Sequence, residues 1–420
     1  MKILYVSADL GIPVQGGKGA AVHVRAMAQA FAALDHTVVV AAAQLVKSPW
    51  QPPVPLGVPV LHVPPGPDIV HVSSRLRAFA AAIGATSPAA GEVRRVLYNQ
   101  ELVTALRQRF EHDPPDLVYE RASNLGTAGL TFAREAGVPH LLEINAPLAD
   151  EQQRYRGGGA LQALADASEA WLLAHADAVL PVSAPLAAHV VARGADPARV
   201  HVVPNGVDTA SFRPGDGRPV RDRLGLGTRP VIGFVGGLRP WHGIEALPRV
   251  VAALRTRRPD VHAVIVGDGP LRGEVAREVT RLGLDAHVTM VGAVPHDEVP
   301  AYIRAFDLAL APYPPAAHAF YFSPLKVYEY MACGVPVVGA RLGQLVEAIG
   351  DGETGRLYPA GDEPALAAAC AELLADRAAL TRMGAAAAAA ASGRTWRHNA
   401  RRVLEIAATL RAAEGVAACA

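Results

Sequence analysis

The residues best placed to do chemistry are Lys326 and Glu329, three positions apart in the stretch Ser323-Pro-Leu-Lys-Val-Tyr-Glu-Tyr-Met-Ala-Cys-Gly-Val-Pro-Val-Val338. It reads as loop, helix, turn and strand. Ser323 can cap a helix, and Pro324 suits its first turn, where a missing N–H costs nothing. Leu325, Tyr328, Met331 and Ala332 recur at helical spacing, so one face is expected to be buried. Gly334 ends the helix, and Pro336 prevents its return before the apolar run 335–338 opens a strand. A lysine in the first turn opposes the helix dipole. An anion bound at that terminus would account for it, and a diphosphate is the obvious one. Glu329, about one turn on, can accept hydrogen bonds from sugar hydroxyls. A surface helix with an ordinary Lys–Glu pair would show the same spacing.

The elements that must position these groups read as two successive α/β sets. Strand 2–7, the loop 8–19, helix Ala20–Leu34 and strand Thr37–Ala42 form a βαβ unit with a glycine-rich turn at the carboxyl end of its first strand, where open parallel sheets bind ligands. Gly16, Gly17 and Gly19 let backbone approach a phosphate, with Lys18 among them. The turn is not G-x-G-x-x-G, and no acidic residue closes the second strand near Ala42, so a nicotinamide cofactor is disfavoured. His23 is either packed inside its helix or in direct contact with ligand. Residues 47–68 are proline-rich and aperiodic and read as a loop, followed by helices 74–83 and 92–110. Arg75, Arg77, Arg94, Arg95, Arg107 and Arg109 are ordinary solvated helix faces or a basic surface for an anionic acceptor or lipid head group. Strands 116–121 and 138–144 carry Glu120, Arg121, Glu143 and Asn145 to one edge, where Glu143 and Arg121 can also form a buried ion pair.

After a linker at 209–228, strand 231–235 starts the second set. Its turn is Gly236-Gly-Leu-Arg-Pro-Trp-His-Gly243, with a helix expected from Ile244 and Trp241 either stacking or packing. Strand 261–266 runs into Gly267-Asp-Gly-Pro270, and strand 288–291 into Gly292-Ala-Val-Pro-His-Asp-Glu298. Residues 363–391 and those from Thr395 onward are helical.

At 420 residues the chain is too long for one ordinary core, so two domains are expected. We place them at 1–208 and 209–394, with a last helix at 395–420. A net charge of +1 gives no strong pull toward nucleic acid or an anionic membrane, so no nucleic-acid partner is expected and peripheral membrane contact has no support at this level. Cys333, Cys370 and Cys419 show no disulfide or metal spacing. With no basic leader and no apolar run of membrane-spanning length, a cytoplasmic location is expected. The basic residues are almost all arginine, lysine occurring only at 2, 18, 47 and 326.

The stretch around Glu329 resembles the donor site of the retaining glycosyltransferases of family 4, whose signature is two glutamates eight positions apart followed by "AMACGTPVV" or similar. Glu329-Tyr-Met-Ala-Cys-Gly-Val-Pro-Val-Val338 matches the second half, while Tyr321 stands where the first glutamate would be. "SPLK…EYMA.G.PVV" looks like a branch of that family, and Pro204-Asn-Gly-Val-Asp208 is a further family motif.

The resemblance implies a GT-B fold, two Rossmann-like domains facing across a cleft, with the last helix returning to the first. It implies that Glu329 holds the ribose, and that Lys326 and Arg239 neutralise the diphosphate with help from backbone N–H groups near Ser323, Pro324 and Leu325, beside Tyr321 and Phe322. Relatives carry "GRLxxxKG" where this chain has Gly237 and His242 at the Arg and Lys positions. His242 would be charged only if phosphate raised its pKa. Gly17 corresponds to the family's "GG…H" loop, Gly267 and Asp268 lie beside the nucleotide, and backbone around Val294 reads the base. Asn145 stands where many relatives place a histidine on the donor sugar, and Glu151 is an acceptor-side candidate.

The expected reaction is metal-independent and retaining. It moves a sugar from a UDP-, GDP- or dTDP-sugar to a hydroxyl on a small molecule, glycan or lipid, with no separate cofactor. A non-catalytic nucleotide-sugar-binding protein, or an epimerase or phosphorylase on a related fold, are the competing readings.

Overall fold

The computed structural model describes residues 1–17, 19–47, 53–155, 159–315 and 320–418. Lys18 and Cys419 lie outside them. The chain divides into two compact units, Met1–Pro204 with Tyr321–Ser323 and Trp396–Ala420, and Asn205–Phe320 with Pro324–Thr395.

The first unit runs β1 (Lys2–Ser7), α1 (Gly19–Ala32), β2 (Thr37–Ala42), β3 (Val60–His62), α2 (Pro67–Ala82), α3 (Ala89–Phe110), β4 (Leu117–Arg121), α4 (Ala128–Ala136), β5 (His140–Ile144), α5 (Leu148–Tyr155), α6 (Gln162–His175), β6 (Ala178–Pro181) and α7 (Ala184–Ala192). Its six strands are parallel, in the order β3-β2-β1-β4-β5-β6. Strands covered by helices on both faces read as continuous apolar runs rather than alternating ones. Ile3, Leu4, Tyr5 and Val6 are accordingly buried without a break. The register sets Ser7 opposite Ala42 on one side and Arg121 on the other, so the carboxyl ends of β1, β2 and β4 stand level.

The second unit runs α8 (Arg218–Arg223), β7 (Val231–Val235), α9 (Leu247–Arg255), β8 (His262–Val266), α10 (Arg272–Arg281), β9 (Val288–Gly292), α11 (Val299–Ile303), β10 (Leu308–Ala311), α12 (Leu325–Ala332), β11 (Val337–Ala340), α13 (Leu345–Ala348), β12 (Gly355–Tyr358), α14 (Glu363–Ala375) and α15 (Arg377–Ser392). Its parallel sheet has the order β12-β11-β10-β7-β8-β9, the same connectivity as the first. In each, the chain builds outward from the first strand, then returns beside it and builds the other way. α16 (Trp396–Ala418) belongs to the first unit, where it packs on α1 and sets Trp396 edge-on to His23.

Several expectations need correction. The stretch 47–68, read as a loop, contains β3, which pairs Val60–His62 with Val40–Ala42. α2 begins at Pro67 rather than residue 74, because a proline at N1 loses no bond there. The linker holds α8, and the helix expected from Ile244 starts at Leu247 after two short 3-10 turns. α5, α7 and α13 went unread, each too short for a periodic signal. The division also places Asn205–Asp208 with the second unit.

Candidate functional site

α12 spans eight residues, and the cap position belongs to Pro324 (φ −81°, ψ 95°) with no side-chain cap, so Ser323 does not play the role expected of it. Proline has no N–H to lose at this position, and its extended backbone already turns the chain into the helix. The C-terminal turn is as expected: Gly334 follows Cys333 at φ +76°. Lys326, in the first turn, is only 9% exposed. Its Nζ has no hydrogen-bond partner among the described residues and lies 4.3 Å from the Phe234 ring centroid and 5.4 Å from that of Tyr313. The two aromatic faces partly offset the lost hydration. Burial pushes the ammonium down to about 7, Glu329 pulling it back upward. A Cβ on Gly236 (φ +144°) would stand 2.8 Å from Nζ, so glycine at the end of β7 keeps the ammonium clear of side chain.

The loops after β7, β8 and β9 form one backbone stack. The Gly236 N–H donates to Val266 O (2.9 Å), Leu238 N–H to Asp268 O (2.9 Å) and Gly267 N–H to Gly292 O (2.7 Å). Gly267 sits at φ +136°, where a Cβ would be 2.0 Å from Gly236 O, so no side chain fits. Gly237, Gly267 and Asp268 are thereby brought together, and half-buried Val294 follows in the third loop. Arg239 is exposed and lies 5.5 Å over the Trp241 ring, which gives that tryptophan a place. His242 sets Nδ1 2.6 Å from Gly237 O. Burial first, then Lys326, push this imidazole down to about 3. It is neutral at ordinary pH, Nδ1 carrying the proton and Nε2 left as acceptor.

Glu329 Oε1 lies 3.2 Å from His296 Nε2, and the His296 ring rests on Phe212 at 5.4 Å. Tyr330, the next residue of α12, accepts from Val235 N–H (2.7 Å) and donates to Val235 O (3.3 Å), fastening the helix to the end of β7. Neither was singled out. His296 lies in a loop read only for its backbone, and Tyr330 occupies a helical position that any buried apolar residue could hold.

The other expected residues lie in the first unit. Glu143, at the end of β5, is the centre of a buried cluster. His23 Nε2 and Arg121 Nη1 each lie 2.7 Å from its oxygens, and Tyr119 Oη and Asn145 Nδ2 also donate to it. Burial alone would raise this carboxyl, but His23, Arg121 and Tyr119 overcome it and hold it at about 2. The ion pair with Arg121 is therefore present, and His23 and Asn145 are spent on the same carboxylate. Gly17 is exposed, with open space where a Cβ would be. Buried Arg25 of α1 clips its loop by donating to Val14 O (3.0 Å) and Gly16 O (2.5 Å), a role without a sequence signal. Tyr321 donates from Oη to Glu151 (2.5 Å) and accepts at its carbonyl from Ser183 Oγ (2.7 Å), and its ring lies beside Phe322 in the apolar cluster that also holds Leu142 and Leu172. Tyr321, Phe322 and Ser323 are thus grouped with the first unit, while Pro324 and Leu325 belong to the second.

The carboxyl edge of β1 and β4, where the strand order reverses, carries a narrow crevice lined by Asp9, Arg95, Asn99, Ser123 and Asn124 among others. Asn124 is 9% exposed and its Nδ2 has no partner among the described residues.

Comparison with known proteins supplies the wider frame. Residues 18–206 match the family described as glycosyl transferase 4-like domain, and residues 229–376 match glycosyl transferases group 1. The chain is 36% identical over 198 residues to the GDP-mannose-dependent alpha-(1-6)-phosphatidylinositol monomannoside mannosyltransferase of Mycolicibacterium smegmatis, covering 46% of this chain and 50% of that one. It is 35% identical over 247 residues to the D-inositol 3-phosphate glycosyltransferase of Nocardia farcinica, covering 56% and 53%. The chain thus spans about half the length of these curated relatives. Among solved structures, sucrose-phosphate synthase of Thermosynechococcus elongatus superposes with a TM-score of 0.74 at 21% identity, covering 98% of this chain and 99% of that one. HepE of Anabaena, solved with UDP, superposes at 0.71 and 21% identity, covering 97% and 100%. These two likenesses speak for the fold.

Proposed function

We propose that the chain, whose two halves match glycosyl transferase families and whose two Rossmann-like units have the GT-B fold, transfers a sugar from a nucleotide-diphosphate sugar to a hydroxyl acceptor with retention of configuration. The observation that carries the donor assignment is Lys326. A buried ammonium without a hydrogen-bond partner is costly to keep, and a diphosphate would supply the missing counter-charge. Lys326 stands beside the glycine turn at the end of β7, with exposed Arg239 on the same loop as a second cation and the N–H groups of the α12 first turn facing the same phosphates. In this reading the two cations meet the diphosphate charge without a metal ion. Glu329 lies one turn along for the ribose hydroxyls, Gly267 and Asp268 flank the nucleotide, and the backbone near Val294 takes the base.

The acceptor hydroxyl oxygen bonds to the anomeric carbon as the bond from that carbon to the phosphate oxygen breaks on the same face. The hydroxyl proton passes to the departing phosphate oxygen. Negative charge grows on that oxygen, so Lys326 and Arg239 stabilise the transition state more than the ground state. The acceptor seat is the crevice at the β1–β4 edge, where Asn124 offers an unused amide donor and Asp9 an acceptor. The relatives named for inositol and phosphatidylinositol acceptors favour a polyol there, free or lipid-linked.

The test is donor binding and slow donor hydrolysis across UDP-, GDP- and dTDP-sugars, wild type beside Lys326→Ala and Glu329→Ala. One donor bound and hydrolysed, with both activities lost in the two variants, is the expected result. Binding that survives both substitutions would place the site elsewhere, and binding without hydrolysis or transfer would make the protein a nucleotide-sugar binder.

A further inference from the structure

The lysines of this chain stand in different surroundings. Lys2 pairs with Asp113, and Lys47 is exposed. Lys326 is the buried lysine among the described residues, and its Nζ is walled by rings rather than by acceptors. Phe234 and Tyr313 face it, and the His242 ring stands 5.7 Å from that of Tyr313 and 6.3 Å from that of Phe234. Glu329, the acid one turn along α12, has its Oε1 on His296 at 3.2 Å and makes no ion pair with Nζ. Glycine at 236 keeps the side toward the turn free of side chain.

These surroundings suit an uncharged nitrogen. An ammonium there gains little beyond the aromatic faces, and burial has already brought the amine down to about 7, so a large share of it is neutral at neutral pH. A neutral lysine amine in a water-poor site is a nucleophile. An amide on Nζ would carry no charge, and a small acyl group would add apolar contact with the rings. The electrophile follows from what lies alongside. The first-turn N–H groups of α12 and exposed Arg239 are suited to one phosphate group, and an acyl phosphate joins such a group to a reactive acyl carbon.

We propose that Lys326 is a covalent modification site, acylated by small acyl phosphates that settle at the start of α12, and that the resulting amide closes this seat to phosphates. The proposal rests on the donor reading of the seat. Nζ adds to the acyl carbon, the bond from that carbon to the phosphate oxygen breaks, and the oxygen leaves with the electron pair. The amine proton passes to the departing phosphate, so the products are an Nζ-amide and inorganic phosphate. The acyl group stands between phosphorus and Nζ, which keeps the phosphate charge from protonating the amine before it attacks. A nucleotide sugar, with its diphosphate directly against Nζ, holds the amine charged and protects it.

Timed incubation of the full chain with acetyl phosphate, followed by peptide mass mapping, reads the acylated fraction at Lys326 and Lys47 in one sample. Lysine at its ordinary value is almost wholly protonated at neutral pH, so Lys326 is expected to react at least about tenfold faster than Lys47. Inorganic phosphate should slow Lys326 and leave Lys47 unchanged. Acetic anhydride, which has no phosphate to seat, should show a smaller preference for Lys326. The acylated protein should bind its nucleotide sugar about tenfold more weakly or worse. Equal rates at the two lysines, acylation that phosphate does not slow, or an unchanged donor affinity after acylation would each overturn the inference. The two readings fail separately. A nucleotide sugar that binds while Lys326 stays inert to acetyl phosphate removes the modification and keeps the donor site. Acylation slowed by phosphate, with no nucleotide sugar bound, removes the donor assignment and keeps Lys326 as the acyl acceptor of a phosphate seat.

Discussion

The two units share one strand connectivity and differ in what stands at the carboxyl edge of the sheet. In the first, charge is matched internally. Glu143 gathers His23, Arg121, Tyr119 and Asn145, and Glu120 takes His140 Nε2 at 2.7 Å together with the Leu130 N–H at the start of α4. In the second, the buried cation Lys326 faces two aromatic rings and a glycine turn with no hydrogen-bond partner. A satisfied buried network holds a fold rigid, whereas an unsatisfied one signals either a fault or a ligand. The same architecture thus matches its buried charge in one copy and, in the proposed reading, leaves a buried cation open for the donor in the other.

Removing the central charge from each edge should therefore act with opposite signs on stability. Glu143→Gln leaves Arg121 buried without its counter-ion and should destabilise the first unit by about 3–5 kcal/mol. Thermal unfolding measures this, and donor affinity should hold. The pH dependence has a defined direction: Glu143 is held at about 2, below its unfolded value of 4.5, so its stabilisation is complete above pH 4.5 and is lost as pH falls toward 2. Stability unchanged, with only donor hydrolysis reduced, would move this cluster from frame to reaction. Lys326→Met should do the reverse. It removes an unpartnered buried ammonium and should stabilise the second unit by about 1–4 kcal/mol, while weakening donor binding roughly 10- to 100-fold through loss of a charge-assisted contact. A destabilised Lys326→Met protein would mean that the lysine is already compensated and the contrast between the edges is wrong.

That contrast was half legible in the sequence. Glycine turns and strands that read as unbroken apolar runs announce themselves, so Gly334, the turn at Gly236 and the longer strands stood out, while the three-residue β3 did not. Lys326 was found because a lysine in a helix first turn works against the dipole. Pairings far apart in sequence were not legible. Glu143 meets His23 across 120 residues and Tyr321 meets Glu151 across 170, and nothing local in either residue names its partner. Arg25 reaching back to clip the glycine loop, and His296 beside Glu329, are hidden for the same reason. The cap at Pro324 failed differently: Ser323 and Pro324 both suit a helix start, and composition could not place them one residue apart.

The receptor reading of the second unit also fixes how donor binding responds to pH. Folding lowers Lys326 from 10.5 to about 7, so between those values the unfolded chain holds a proton that the folded chain has released, and stability rises with pH across that window. A bound diphosphate restores the charge, so binding above pH 7 must take up a proton. Affinity should then fall by up to about tenfold per pH unit above 7, which calorimetry in buffers of different ionisation enthalpy reads directly as proton uptake. His242, held at about 3, stays out of this titration. A pH-independent affinity from 6 to about 9 would show that Lys326 is charged before the ligand arrives.

The smallest effect concerns His296. Its Nε2 lies 3.2 Å from Glu329 Oε1 on a third-exposed side chain, so water competes with the contact and its net worth is near 0.5–1 kcal/mol. His296→Ala should raise the KM for the donor about two- to fivefold and leave kcat nearly unchanged. The reason is that Glu329 is proposed to hold the ribose, which the reaction does not alter, so its alignment serves ground state and transition state equally. A loss confined to kcat would put His296 and Glu329 nearer to the departing phosphate than to the ribose, and the receptor edge of the second unit would then extend along α12 beyond Lys326.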